Sequence, residues 1–423
     1  MTTADLVVRN IGRLATLAGS APRTGAGLRD LAIVEAAAVA ARGGKIVYAG
    51  PEAGLAGTVA PEPGATLLDA EGAAVVPGFV DAHTHLAFAG DRDEEIRRRL
   101  AGATYREIAA AGGGIVRSVE ATRKASREEL AAAIRSRLDE MLLQGTTTAE
   151  VKSGYGLDTA AEVRSLEAIR DAAAAHPVTV VPTFLGAHEV PLEHRGERER
   201  YLRLLVDEMI PEVARRRLAS FCDVFCEEGV FSVAEARRIL IAARERGLGL
   251  RVHADELTPT GGAELAAEVG ARSADHLVHV SEAGMRALAA APCAATLLPA
   301  ASFYLRLPRF ASARALVEAG APVAIATDAN PGGGLSPSMP FAMTVACFSM
   351  GLSFEEALTA ATLNAAWSLD VHRERGSVEV GKRADVVVLR SPRLLDLVRV
   401  GVPAVDTVVK DGRVVVRDGR MQA

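Results

Sequence analysis

From residue 74 onward, short apolar runs rich in β-branched residues alternate with longer stretches whose apolar positions recur at a helical period. The runs fall at residues 75–82, 146–151, 178–184, 221–225, 248–253, 273–277, 294–298 and 323–328. Stretches such as 127–143, 160–175 and 234–246 carry the spacing of helices that bury one face. Strand and helix in strict alternation predict βα units on a parallel sheet. Eight such units over about 250 residues fit an α/β closed (β/α)8 TIM barrel better than an open doubly wound sheet. No glycine-rich dinucleotide fingerprint follows any of the runs, which weakens the open sheet further.

The flanks have a different rhythm. Residues 6–17, 32–49 and 66–69 are short β runs with a turn at Gly43-Gly44, and 384–389 and 405–416 resemble hairpins, the latter turning at Asp411-Gly412. Neither flank alone is long enough to bury a core comfortably. The expectation is a small composite β-sandwich made of residues 1–73 and 373–423, beside a barrel over 74–372.

The polar residues that interrupt this pattern carry the chemistry. His83-Thr84-His85 closes the apolar run 75–82, which reads as one buried strand with both imidazoles leaving on the same face. Later runs also end on polar residues: His253 after the fifth, His276 after the sixth and Asp328 after the eighth, with Lys152 just past the second and His188 just past the third. In a barrel these strand ends meet at one mouth. His83, His85, His253 and Asp328 then make a set of three nitrogens and one oxygen suited to Zn²⁺ or Fe²⁺, with a position open to water. Water bound to such an ion falls in pKa from about 15.7 to about 7, which implies hydrolysis at a carbonyl or amidine carbon. Asp328 is the natural proton acceptor, and Glu256 is a second candidate base unless it merely begins a helix near Thr258. His276 and His188 could donate hydrogen bonds to an oxygen that gains charge. Lys152 is expected to pair with Glu150 or to hydrogen-bond the loop rather than become carboxylated, because the ligand set is complete for one metal.

Composition narrows the partners. A net charge of -5 with no basic stripe argues against nucleic acid, and the absence of a long apolar stretch or leader pattern argues for a cytoplasmic protein without a membrane span. Four cysteines are too few for a disulfide scaffold, and Cys222 and Cys226 read as buried thiols.

Beyond these residues, the order H-x-H, His253, His276, Asp328 with β flanks resembles the metal-dependent amidohydrolase superfamily. The local motifs are narrower. Phe88-Ala89-Gly90-Asp91-Arg92, Tyr105-Arg106-Glu107-Ile108, Gly112-Gly113-Gly114-Ile115, Glu150 to Leu157, Gly186-Ala187-His188-Glu189, His253-Ala254-Asp255-Glu256, Ser273 to Leu277 and Asp328-Ala329-Asn330-Pro331-Gly332 are similar to the imidazolonepropionase family. The resemblance implies one Zn²⁺ or Fe²⁺/Fe³⁺ ion per chain on His83, His85, His253 and Asp328. It also implies opening of 4-imidazolone-5-propanoate to N-formimidoyl-L-glutamate in histidine degradation, and a homodimer. Arg92 would hold a small substrate's carboxylate, Tyr155, His188 and Glu256 would touch the substrate, His276 would assist water, and Asn330 and Gly332 would hold the glutamate end. Read without the resemblance, Arg92 belongs to a solvated cluster with Asp91, Asp93 and Glu94, and Tyr155 to loop packing. One departure stands out: Gly333 and Gly334 follow Gly332 where the family usually has Ser or Thr. A hydroxyl contact to the substrate carboxylate is therefore missing, unless a backbone N–H or Ser336 replaces it. The alternatives are an aminohydrolase or cyclic amidohydrolase acting on another nitrogen heterocycle, and a binding protein on a retired barrel.

Overall fold

The computed structural model describes residues 1–103 and 114–422, so the motif residues Tyr105 to Ile108, Gly112 and Gly113 lie outside it. Eight parallel strands follow one another in chain order: Phe79–Asp81, Thr146–Lys152, Thr179–Ala187, Phe221–Cys226, Gly249–Ala254, Ser273–His276, Ala294–Leu297 and Val323–Ile325. The first and last meet beyond their ladders. Asp328 N–H donates to the His83 carbonyl at 3.0 Å and His85 N–H to the Ala329 carbonyl at 2.9 Å. This is the expected TIM barrel, and its seam closes between candidate site residues.

The helices begin where their capping chemistry dictates. Ser126 and Ser232 open Arg127–Leu143 and Val233–Glu245 with full capping boxes to Glu129 and Glu235, each satisfying amide groups that a helix start leaves unpaired. Their apolar faces, including Leu130, Ile134, Leu138, Ile239 and Leu240, are buried in the main core.

The run 75–82 is not one strand. It breaks at Gly78, and the two halves belong to different sheets: Ala74–Pro77 pairs with Thr2–Ala15 on one side and Val386–Leu389 on the other, whereas Phe79–Asp81 opens the barrel. Pro77 has no N–H to continue a ladder, and a Cβ at position 78 would lie 2.3 Å from Thr147 Oγ1. Residues 74–77 therefore sit with the flanks rather than with the barrel to which the sequence reading gave them. The flanks join as expected, hydrogen-bonded as one mixed nine-stranded sheet. Its two ends share a core in which Leu6, Ile11 and Val39 meet Val386, Val388 and Val409. Among the described residues no helix is long and apolar enough to cross a membrane. Cys222, Cys226 and Cys293 are buried free thiols.

Candidate active site

At the C-terminal mouth of the barrel, His83 and His85 lie just past the first strand, in an extended segment bridged through Thr84 to Ala329. Their Nε2 atoms are 3.2 Å apart, so both rings do face one side. His253, on the fifth strand, brings its Nε2 to 3.3 Å from that of His85. Asp328 Oδ1 sits 3.6 Å from His83 Nε2 and 3.4 Å from His85 Nε2. His83 Nδ1 is 2.7 Å from Asp275 Oδ2, and His253 Nδ1 is 3.0 Å from Asp223 Oδ2. Protons on those Nδ1 atoms leave the Nε2 lone pairs of His83 and His253 pointing inward. Only His85 and Asp328 can bring a proton among the four converging atoms. Asp328 Oδ1 is buried without a hydrogen-bond partner among the described residues. Lone pair facing lone pair in a buried place is unfavourable without a cation, and a set of three imidazoles and a carboxylate suits a transition metal. These residues fit one ion.

Burial, reinforced by neighbouring positive groups, holds His83 and His85 well below the ordinary imidazole range, so both are in the neutral form that binds metal. Burial also raises the Asp328 carboxyl to about 7 and Glu256 well above the usual carboxylate value. Glu256 does not begin a helix, since the next one starts at Gly262, and Thr258 bonds Glu227 instead. His276 places Nδ1 3.5 Å from Glu256 Oε1, and its Nε2 is buried without a hydrogen-bond partner among the described residues. A ring nitrogen of His276 also lies within 4.8 Å of a ring nitrogen of His83 and of one of His253.

The expected donor role of His188 does not survive. Its Nδ1 is 2.9 Å from the Gly154 carbonyl, and burial lowers its pKa to about 3. The neutral ring spends its one N–H on that carbonyl, so Nε2 can only accept. The ring stacks on His85 with centroids 5.0 Å apart.

These groups open onto a cavity of about 650 Å³ lined by His85, Arg92, Tyr155, His188, Glu256, His276, Asp328, Asn330 and Gly333. A groove of about 740 Å³ between the outer sheet and the barrel, lined by Arg13, Asp30 and Phe354 among others, contains none of the histidines. Arg92 turns inward: Nε donates to Ser118 Oγ at 2.9 Å and Cζ lies 6.0 Å from the Tyr155 ring centre. Among the described residues it makes no ion pair with Asp91, Asp93 or Glu94, so the solvated-cluster reading fails. Tyr155 is buried with its ring edge toward His188 and His85. Its loop is held by Glu162, whose carboxylate accepts the N–H groups of Gly154, Gly156 and Leu157.

The loop after Asp328 departs from expectation. Gly332 N–H donates to Asn330 Oδ1 and its carbonyl accepts from Arg99, so both polar groups are engaged within the protein. Asn330 Oδ1 also accepts from Gly333 N–H at 2.6 Å, and Asn330 Nδ2 donates to the Asp328 carbonyl at 2.7 Å. The Gly333 amide is therefore not the replacement for the missing hydroxyl. Ser336 does not line the cavity, and its Oγ accepts from Ser338 N–H.

Sequence reading missed what stands behind the histidines. Lys152 pairs with Glu150 at 2.6 Å, as expected, and also with Asp223 at 2.8 Å. Burial alone would lower its pKa, but these carboxylates raise it above the ordinary value. Carboxylation requires the neutral amine, so the structure argues against it. Asp223, Arg251 and Asp275 were passed over although each is a charge inside an apolar strand, a conflict that marks a buried network.

Comparison with known proteins agrees with this geometry. The profile of the amidohydrolase family matches residues 74–415. The imidazolonepropionase of Symbiobacterium thermophilum is 52% identical over 424 residues, covering the whole of both chains. That of Geobacillus kaustophilus is 48% identical over 98% of this chain and 99% of its own. Among solved structures, a zinc-bound adenosine deaminase from Xanthomonas campestris superposes over all of this chain and 95% of its own, with a TM-score of 0.73 at 20% identity. Atrazine chlorohydrolase from Arthrobacter aurescens superposes over 98% of this chain and 96% of its own, with a TM-score of 0.75 at 18% identity; both likenesses establish the fold alone. Through its full-length likeness to the curated relatives and the profile match across the barrel, this chain belongs to the imidazolonepropionase family of amidohydrolases.

Proposed function

We propose that the chain hydrolyses the ring amide C–N bond of 4-imidazolone-5-propanoate to give N-formimidoyl-L-glutamate, with one Zn or Fe ion held by His83, His85, His253 and Asp328. The observation that carries this reading is the convergence of those donors, with His85 Nε2 3.2 Å from His83 Nε2, 3.3 Å from His253 Nε2 and 3.4 Å from Asp328 Oδ1, in a family member whose Arg92 faces the same cavity. When bound, the ion supplies Lewis acidity that makes water a nucleophile near neutral pH.

The protein's own groups do the rest. Arg92 binds the propanoate carboxylate through its guanidinium, which suits a planar anion. Tyr155 and His188 flank the ring, and His188 Nε2 accepts a ring N–H. Asp328 takes the proton of the attacking water as its oxygen bonds the ring carbonyl carbon, then delivers that proton to the nitrogen that leaves as the C–N bond breaks. His276 stands beside the reacting oxygen, and Glu256, kept protonated by burial, can donate to the heterocycle.

The test is an ultraviolet assay with freshly generated 4-imidazolone-5-propanoate on metal-analysed protein. Turnover should scale with about one metal per chain, as the single donor set requires, and vanish with a chelator. Metal-loaded protein that turns over other small heterocycles but leaves this substrate intact would refute the proposal.

A further inference from the structure

Behind the candidate metal donors runs a chain of charged side chains that no reacting atom touches. It begins at Asp275 Oδ2, 2.7 Å from His83 Nδ1 and 3.2 Å from Arg251 Nη2. Arg251 Nε lies 3.7 Å from Glu150 Oε1, which Lys152 Nζ approaches to 2.6 Å. Lys152 continues to Asp223 Oδ2 at 2.8 Å, and the same oxygen lies 3.0 Å from His253 Nδ1. All five links are fully buried. Glu150 makes a further connection: its Oε2 accepts the Thr84 N–H at 3.1 Å, and its main-chain carbonyl accepts the Thr84 hydroxyl at 2.6 Å. Thr84 is the residue between His83 and His85.

We infer that Glu150 is a positioning residue for the whole metal-donor set, although it touches none of the donors through its side chain. One carboxylate fixes the backbone of the His83-Thr84-His85 segment and holds two cations. Those cations keep Asp275 and Asp223 in place against the Nδ1 atoms of His83 and His253. Carboxylates in that place fix the tautomer and orientation of a ligating imidazole. His83, Asp223 and Asp275 also lie close enough to suggest a second metal site. Lys152 and Arg251 already bring positive charge to both of those carboxylates, so the protein supplies that cation itself. Three carboxylates against two cations leave the chain anionic, which favours a cation in front of the histidines.

The inference rests on the metal site proposed above. Its test is chelator competition for the dissociation constant of Zn²⁺ or Co²⁺, together with the visible spectrum of the Co²⁺-loaded protein, in wild type, Glu150→Gln and Glu150→Asp. Both variants should bind the ion roughly 10- to 100-fold more weakly, the range usual for partners behind ligating histidines. The Co²⁺ bands should shift, and KM should stay unchanged at saturating metal because Glu150 does not line the cavity. Glu150→Asp keeps the buried charge balance and shortens only the reach, so it remains informative if Glu150→Gln does not fold. In the wild-type apoprotein, imidazole nitrogen-15 shifts should place a proton on Nδ1 of both His83 and His253. A proton on Nε2 of either ring would overturn the inference, as would variants with lowered thermal stability but wild-type affinity and Co²⁺ spectrum. Wild type that binds no ion would defeat the metal reading itself, whereas wild-type binding with unaltered variants would defeat this one alone.

Discussion

Gly332→Ala offers a sharp test of the Arg92 clamp, because it moves the guanidinium without deleting it. A Cβ on Gly332 would lie 2.4 Å from Arg92 Nη1, 3.0 Å from Cδ and 3.2 Å from Cζ. Gly332 is not in the left-handed region, so alanine adds no backbone strain, and its effect passes through Arg92. Losing a charge-assisted hydrogen bond costs about 1.5–3 kcal/mol, and each 1.4 kcal/mol is about tenfold. KM should therefore rise roughly 10- to 150-fold, by the same conversion. A carboxylate remote from the breaking bond is held alike in ground and transition states, so kcat should hold. Metal content should match wild type. Steady-state kinetics on Gly332→Ala, Arg92→Ala and the double variant provide the assay. Residues acting through one contact are not additive, so the double variant should resemble Arg92→Ala. A wild-type KM in Gly332→Ala, or a multiplied defect in the double variant, would refute the clamp.

Further predictions follow from neighbouring geometry. His253→Ala should lose both bound metal and turnover, read by elemental analysis beside the ultraviolet assay, while Arg92→Ala keeps its metal and mainly raises KM. Gly333→Ser should fold, since its Cβ would meet Leu305 only at 3.4 Å, and should lower KM at unchanged kcat; an unaltered KM would mean that another group already fills that contact. Gly334→Ala should fail where Gly333→Ser succeeds, because its Cβ would lie 1.7 Å from the Asp328 carbonyl oxygen; metal analysis should find its site depleted. Adding metal at about 1,000 times its dissociation constant should stabilise the apoprotein by about 4 kcal/mol, seen as a rise in Tm that a chelator reverses.

The barrel was legible because its strands and helices impose different periods on the same chain, and the donor set because a polar residue at the end of an apolar strand has few structural reasons to be there. The break at Gly78 was not, although Pro77-Gly78 is a turn signal: valines lie on both sides of it, and composition does not tell which sheet a valine joins. The orientation of His188 needed the position of the Gly154 carbonyl, a contact between two different βα loops. Gly332 and Gly333 both spend their amides within the protein because Asn330 folds the loop back on itself, through hydrogen bonds that no spacing rule specifies. Asp223, Arg251 and Asp275 were visible as charges within apolar runs but uninterpretable singly, since their partners come from other parts of the chain: Lys152 and His253 for Asp223, Asp275 and the Ala82 carbonyl for Arg251, and His83 for Asp275.

The strand Ala74–Pro77 also sets an order of events during synthesis. One edge pairs with Arg13 and Leu14, made earlier, and the other with Val386 to Val388, made more than 300 residues later. Chains emerge from the ribosome N-terminus first, so this strand waits with an apolar edge unpaired until the C-terminal hairpins arrive. His83 lies five residues beyond Gly78, at the far end of the barrel strand that this same segment anchors. The nascent chain can therefore assemble its barrel helices early, but the stem that carries its first two imidazoles is clamped on both sides only after Val386 to Val388 have been made. A ribosome-stalled chain lacking those hairpins should remain a client of chaperones rather than a small working enzyme.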